Sequence, residues 1–289
     1  MAVARLASPL YVAFTVLTYV LGAGVARYLG ASIDARILAL GLLSQCLNVG
    51  TMNALAAVFR PASEPIFPGE TRQQRTAVRD AALYASIASL AAYGMACVGI
   101  FAAIAPTAST VICLVASPVL AVVYAVPPAR FMDRGFGELL LATQVALLAP
   151  SVGFALQGQG PNLLLTACTL SLTLLLLATI LGPQLQSYAD DVQYRRATLM
   201  TRLGWENALR LHSVLVICTY LVLGIAVAWG FAADLFVPAF LAVPFAALQV
   251  LFLRNITLGA KPFWRLLKAN ANAVFVLTTY VLALGFWRR

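Results

Sequence analysis

Two adjacent carboxylates, Asp190 and Asp191, stand in the segment 182–210, GPQLQSYADDVQYRRATLMTRLGWENALR. Arg195 and Arg196 follow within about one helical turn. Adjacent carboxylates hold Mg2+ through oxygen ligands, with water and substrate phosphates completing the shell. Arginine forks clamp phosphate oxygens. Both partners suit a leaving diphosphate, because its departure concentrates negative charge. Gln184, Gln186, Ser187 and Tyr188 lie just ahead of the carboxylates. The plain alternative is an ordinary charged loop, and residue types alone do not separate the two.

Two further segments carry polar chemistry. In 124–140, YAVPPARFMDRGFGELL, Pro127 and Pro128 end an apolar run, and Gly135 and Gly137 allow a turn before the next. Arg130, Asp133, Arg134 and Glu138 then fall at an interface, where a solvated loop is again the plain alternative. In 45–60, Gln45, Asn48, Thr51 and Asn53 interrupt an apolar run. Polar side chains at membrane depth need partners or line a cavity. Asn48 and Thr51 share a helical face, and hydrogen bonding between helices weighs evenly against a cavity role. Arg60-Pro61-Ala62-Ser63-Glu64-Pro65 then forces an irregular loop.

The elements that must position these residues are membrane spans. The chain has 289 residues, 62% hydrophobic and 10% charged, with mean hydropathy +0.91. Soluble domains carry about 25% charged residues, so a soluble protein is excluded. Nine apolar runs read as spans. They are Pro9–Ala26, Ile37–Val58, Ala81–Ile104, Ser109–Val126, Leu139–Leu156, Leu163–Leu181, Ser213–Phe231, Leu235–Leu253 and Ala271–Phe286. The expectation is an all-α membrane protein, one transmembrane domain over 1–289 with nine helices around a central cavity.

Orientation follows from charge. Arg5 and the second, fourth, sixth and eighth gaps hold fifteen of the nineteen cations. Arg27, Arg36, Arg288 and Arg289 fall on the other side. The positive-inside rule puts the N-terminus and the even gaps in the cytoplasm and the C-terminus outside. An integral, multi-pass protein of the plasma (inner) membrane is expected. The net charge of +9 is read as loops facing anionic membrane lipid, with no nucleic acid as partner. Long even gaps and short, turn-like odd gaps place the working face at the cytoplasmic mouth. Cys46, Cys97, Cys113, Cys168 and Cys218 all lie in apolar runs and read as small hydrophobes. His212 is expected at an interfacial helix end. No cleavable leader is read at the N-terminus, which is taken as the first span.

Taken together, these segments resemble the UbiA superfamily of intramembrane prenyltransferases, nearest the branch that prenylates dihydroxynaphthoate in menaquinone synthesis. Tyr124-Ala125-Val126-Pro127-Pro128-Ala129-Arg130 with Arg134-Gly135-Phe136-Gly137-Glu138 is similar to that family's fourth-gap signature. Asp191, then Thr198-Leu199 and Arg202-Leu203-Gly204, resembles the end of its second aspartate motif. Pro65-Ile66-Phe67-Pro68-Gly69-Glu70 resembles the segment after its first. The resemblance implies a UbiA-like bundle around a cavity, with a prenyl diphosphate and a lipophilic acceptor as substrates and Mg2+ as cofactor.

The departures are specific. Where the family has an Asn-Asp pair and further aspartates, Asn48 is followed by Val49, and 48–60 holds no Asp or Glu. Ser187 occupies the first aspartate position of the second motif and Asp191 the second. Three readings follow. In the first, a prenyltransferase has an altered site. There Asp190 and Asp191 are catalytic and hold one metal. Arg130, Arg134 and Arg195 contact diphosphate, while Asn48, Asn53, Tyr124, Ser187 and Tyr188 complete the substrate site. The second is a terpene cyclase in the same cavity. The third is a non-catalytic isoprenoid or lipid binder, or an accessory subunit. A transporter has little support, since no span shows a buried charge pair or a clear break.

Overall fold

The computed structural model describes residues 8–60, 66–67 and 69–289. Arg5, the expected irregular loop over 61–65, and Pro68 lie outside the described residues. Among those described, nine helices are long and apolar enough to cross a membrane. They are α1 (Pro9–Tyr28), α2 (Ala35–Val58), α3 (Arg72–Ala103), α4 (Ala108–Ala125), α5 (Gly137–Ala155), α6 (Leu163–Gln193), α7 (Trp205–Ala228), α8 (Ala233–Thr257) and α9 (Trp264–Trp287). No strand occurs among the described residues. The all-helical, nine-span expectation therefore holds.

Several helices outrun their apolar runs at the ends joined by even connections. α3 starts at Arg72 rather than Ala81, and α7 at Trp205 rather than Ser213. Charge marks where hydrocarbon stops, while caps mark where a helix stops. Thr71 and Gln74 form a reciprocal capping box at the start of α3. Just upstream, Glu70 accepts from the N–H groups of Ile66 and Phe67 and pairs with Arg75 Nε at 2.7 Å. His212 is a correction: the longer α7 carries it inward, and it is 1% exposed. It sits beside Gly182 and Gln249 rather than at an interfacial helix end.

The main core is centred on α6, whose Leu172, Leu175 and Leu176 are fully buried. Phe14 of α1 and Phe275 of α9 stack beside them, centroids 4.7 Å apart. A second cluster joins Tyr19 of α1, Ile37 of α2, Tyr93 of α3 and Leu114 of α4. α3 packs mainly on α2 and leaves Tyr84, Ile87, Met95 and Val98 exposed, as a lipid-facing helix would. The cysteines are free, and none is exposed.

Where helices break regularity, side chains repair the backbone. Pro118 has no N–H for the carbonyl of Leu114, and Tyr93 OH donates to it instead, at 2.5 Å. α5 widens into a π turn over Gln144–Leu148 just before Pro150. Thr18 Oγ1 donates to the Val145 carbonyl at 2.6 Å, whose wide-turn partner would have been Pro150. α8 is interrupted by a 3-10 stretch over Val237–Ala242, with Pro238 and Pro244 nearby. That corrects the expectation of unbroken spans, since the run carries no charge to mark the break.

α1 and α5 approach at Gly22 and Gly153. A Cβ on Gly22 would overlap the backbone of Pro150, and one on Gly153 would lie 2.5 Å from the Tyr19 carbonyl oxygen. Gly22→Val should therefore cost about 1–3 kcal/mol or more through overpacking, read as a lower melting temperature in detergent. Gly94→Val, where a Cβ meets nothing within 4 Å, should leave it unchanged.

Glu70 supplies a pH test. Burial pushes its carboxyl up, but the hydrogen bonds from Ile66, Arg75 and Phe67 outweigh this and hold it below the usual carboxylate range. A lowered folded value means that the turn's stability is present above the ordinary carboxylate range. It is lost as pH falls through the folded value. Protection of the Ile66 and Phe67 amides, taken relative to their intrinsic exchange rate at each pH, should fall in acid, and Glu70→Gln should flatten that dependence.

Candidate functional site

The fourth connection is built by its glycines. Arg130 stands at φ 40 and Gly135 at φ 77, either side of the 3-10 turn Phe131–Asp133. A Cβ on Gly135 would collide with the side chain of Arg202, whose guanidinium lies over the Phe136 ring at 5.5 Å. A Cβ on Gly137 would come within 2.9 Å of the Met132 backbone. The tight turn delivers Glu138 into the bundle end, 6% exposed. Its carboxylate accepts from Gln184 Nε2 at 2.7 Å and from the N–H of Leu199 at 3.2 and 3.3 Å.

The sixth connection folds back over the same place. α6 runs through a 3-10 turn at Leu185–Ser187 into Tyr188–Gln193. Asp191 is 3% exposed, and accepts from Ser187 Oγ at 3.3 Å and Arg196 Nη1 at 3.0 Å. The helix ends in a Schellman turn: the N–H of Arg196 donates to the Asp191 carbonyl and that of Arg195 to the Val192 carbonyl. Arg195 takes the left-handed position at φ 54 and is exposed. Arg196 turns back onto Asp191.

A cavity of about 270 Å³ opens where these connections meet the end of α2. Asn53 and Arg60 line it from the α2 side, and Tyr11 and Tyr124 from α1 and α4. Asp133, Glu138 and Leu141 line it from the fourth connection and α5. Ile180, Gln184, Ser187, Asp191, Arg196 and Thr198 complete the wall. The apolar side chains lie toward the core and the charged ones at the loops. Three even connections, far apart in sequence, thus share one mouth.

Four of the expected site residues meet there: Asn53, Tyr124, Ser187 and Asp191. The others lie elsewhere. Asn48 is fully buried and its Nδ2 donates to the Ser117 carbonyl at 3.0 Å, so it serves a helix contact. Gln45 Oε1 accepts from Ser117 Oγ and Gln144 Nε2, both at 3.2 Å, in the same buried cluster. Tyr188 packs against the main core. Arg130 pairs with Asp133, and Arg134 donates to the Pro128 carbonyl at 2.8 Å beside the Phe131 ring. Asp190 and Arg195 are exposed outside the lining.

Arg60, Asp133, Glu138, Gln184, Arg196 and Thr198 are the residues that the sequence showed without assigning. A one-residue shift at the Schellman turn separates Arg196 from the expected Arg195. Tyr11 had no local signal beyond an aromatic ring in the first turn of an apolar run.

The donors do not fit a Mg2+ cage. Asp133 is paired with Arg130, Asp191 holds Arg196, and Glu138 is engaged by an amide and a backbone N–H. Asp190 points away from its neighbour's cavity. Among the described residues, no three His, Cys, Asp or Glu side chains gather into a metal-holding group. The mouth has arginines where a metal site needs unengaged carboxylates.

No known sequence family and no curated protein matches the chain. Solved structures do. A UbiA homologue from Archaeoglobus fulgidus bound to GPP and Mg2+ is 16% identical, covering 98% of this chain and 99% of that one, with TM-score 0.64. The same homologue bound to DMAPP and Mg2+ is 15% identical over 98% and 100%, with TM-score 0.58. An apo UbiA homologue from Aeropyrum pernix K1 is 14% identical over 95% and 96%, with TM-score 0.53. The chain therefore shares the fold of these UbiA homologues over 98% of its length.

Glu138→Ala orphans the Leu199 N–H and strips Gln184 of its acceptor, at about 1–3 kcal/mol for a buried group left unpaired. Faster amide exchange at Leu199 and a lower melting temperature are expected. Glu138→Gln, which keeps an acceptor, should fall between Ala and wild type.

Proposed function

We propose that this protein is an intramembrane prenyltransferase with an altered site, holding a prenyl diphosphate by arginines. The observation that carries the reading is the mouth itself. Arg60 and Arg196 face one cavity whose inner wall is Leu141, Ile180, Tyr11 and Tyr124. Such a cavity suits an anionic head on an apolar tail. The fold shared with homologues solved with GPP and DMAPP supports it.

In the proposed reaction the allylic C–O bond breaks and its electron pair leaves with the diphosphate. An aromatic or other lipophilic acceptor forms the new bond to the allylic carbon and loses a proton. Guanidinium groups stabilise the departing charge from fixed positions. Asp191 orients Arg196, and Ser187, Gln184 and Thr198 offer neutral hydrogen-bonding groups beside it. Mg2+ supplies leaving-group charge stabilisation when bound to a diphosphate. The residues here do not fit it, and the arginines take that role. The cation distribution supports a mouth on the cytoplasmic face of the plasma membrane.

A second reading, a non-catalytic isoprenoid or lipid binder or accessory protein, is favoured by one observation. The carboxylates of the mouth are already engaged by the chain's own donors. Purified protein given farnesyl or geranylgeranyl diphosphate and an aromatic acceptor, with and without Mg2+, separates the readings. Prenylated acceptor with released diphosphate supports the transferase. Saturable binding with no turnover across a broad acceptor panel overturns it in favour of the binder. Turnover to hydrocarbon without an acceptor indicates a cyclase. Arg196→Gln should cost about tenfold or more in rate, since hydrogen bonds to charged groups are worth roughly 1.5–3 kcal/mol. Asp191→Asn, which loosens Arg196 without removing it, should cost no more than Arg196→Gln, and an unchanged rate would overturn the orienting role.

A further inference from the structure

A second pocket, of about 340 Å³, opens between the first turns of α7 and the last turns of α8, at the same end of the bundle as the mouth. Its floor is apolar, made by Leu209, Val250 and Leu253. Its rim carries two arginines, Arg210 from α7 and Arg254 from α8, with Ser213 and Thr257 beside them. Glu206 is the one carboxylate on the rim, so the pocket keeps an excess of positive charge. Both arginines are exposed, and among the described residues neither makes an ion pair. α7 also starts here at Trp205 with no side-chain cap, leaving the positive end of a 24-residue helix beside the pocket.

We propose that this groove binds the headgroup of an anionic phospholipid, separately from the prenyl diphosphate cavity. Two features together select such a ligand. Basic pockets between spans suit phosphate headgroups. Near this floor along the chain, α7 exposes Val214 and Ile217 and α8 exposes Leu251, apolar surface available to an acyl chain. A free phosphate would use the rim and gain nothing from the floor. A zwitterionic lipid brings its own ammonium, and gains less from two arginines set against one carboxylate.

The test uses the full-length protein in neutral detergent, titrated with lipid and read by native mass spectrometry. Phosphatidylglycerol should be retained in preference to phosphatidylcholine. The double variant R210Q/R254Q should lose that preference, by roughly fivefold for each arginine. Both positions are exposed, so the fold should survive. R265Q, an exposed cation outside the pocket, should keep the preference. Equal retention of phosphatidylcholine would overturn the proposal, as would undiminished phosphatidylglycerol binding in the double variant. Displacement by millimolar inorganic phosphate would overturn the lipid assignment in favour of a free anion. The outcome is independent of whether the main cavity turns over.

Discussion

A buried carboxylate must be given donors, and Glu138 draws its donors from distant parts of the chain. Gln184 reaches it from the end of α6 and the Leu199 N–H from beyond the Schellman turn. The bonds fix where the sixth connection lies over the fourth. The placement of Asp191, Arg196 and Thr198 around the cavity depends on that crossing. The glycines of the fourth connection serve the same contact, since a side chain at Gly135 would displace Arg202 from Phe136. The mouth is thus set by one hydrogen-bonded anchor and two residues without side chains.

The membrane imposes a related demand on the backbone. Hydrocarbon offers no donor for a carbonyl that a proline leaves unpaired. Tyr93 and Thr18 answer for the carbonyls near Pro118 and Pro150, and both come from neighbouring helices. Each repair is also a cross-link, so the irregular points of α4 and α5 are where those helices are tied to the bundle. Gln45, Asn48 and Gln144 extend this pattern: their side chains tie α2 to α4 and α5.

The spans were legible because hydropathy and charge report where hydrocarbon begins and ends. All nine runs became helices, and the resemblance in 65–70, 124–138 and 187–204 pointed to the right fold. What the sequence concealed were properties of geometry. Helix ends depend on caps such as Thr71, which hydropathy does not see. Asp190 and Asp191 look alike as neighbours, but a helix sends adjacent side chains in different directions, and only Asp191 faces inward. Tyr11 joins the site by tertiary packing alone. The 3-10 break in α8 lies in a run without charge, marked only by Pro238 and Pro244, which hydropathy does not weigh.

The left-handed residue at Arg195 has a consequence for comparing such chains. It turns a doublet of identical side chains into two different addresses, one facing outward and the other facing the cavity. Position in a row of letters is therefore no guide to function at this bend. A matched arginine in a distant relative corresponds to Arg196 only if the bend falls on the same residue. One residue inserted before the turn would bring Arg195 into the inward place, and one deleted would leave that place to Ala197, with the composition of the loop almost unaltered.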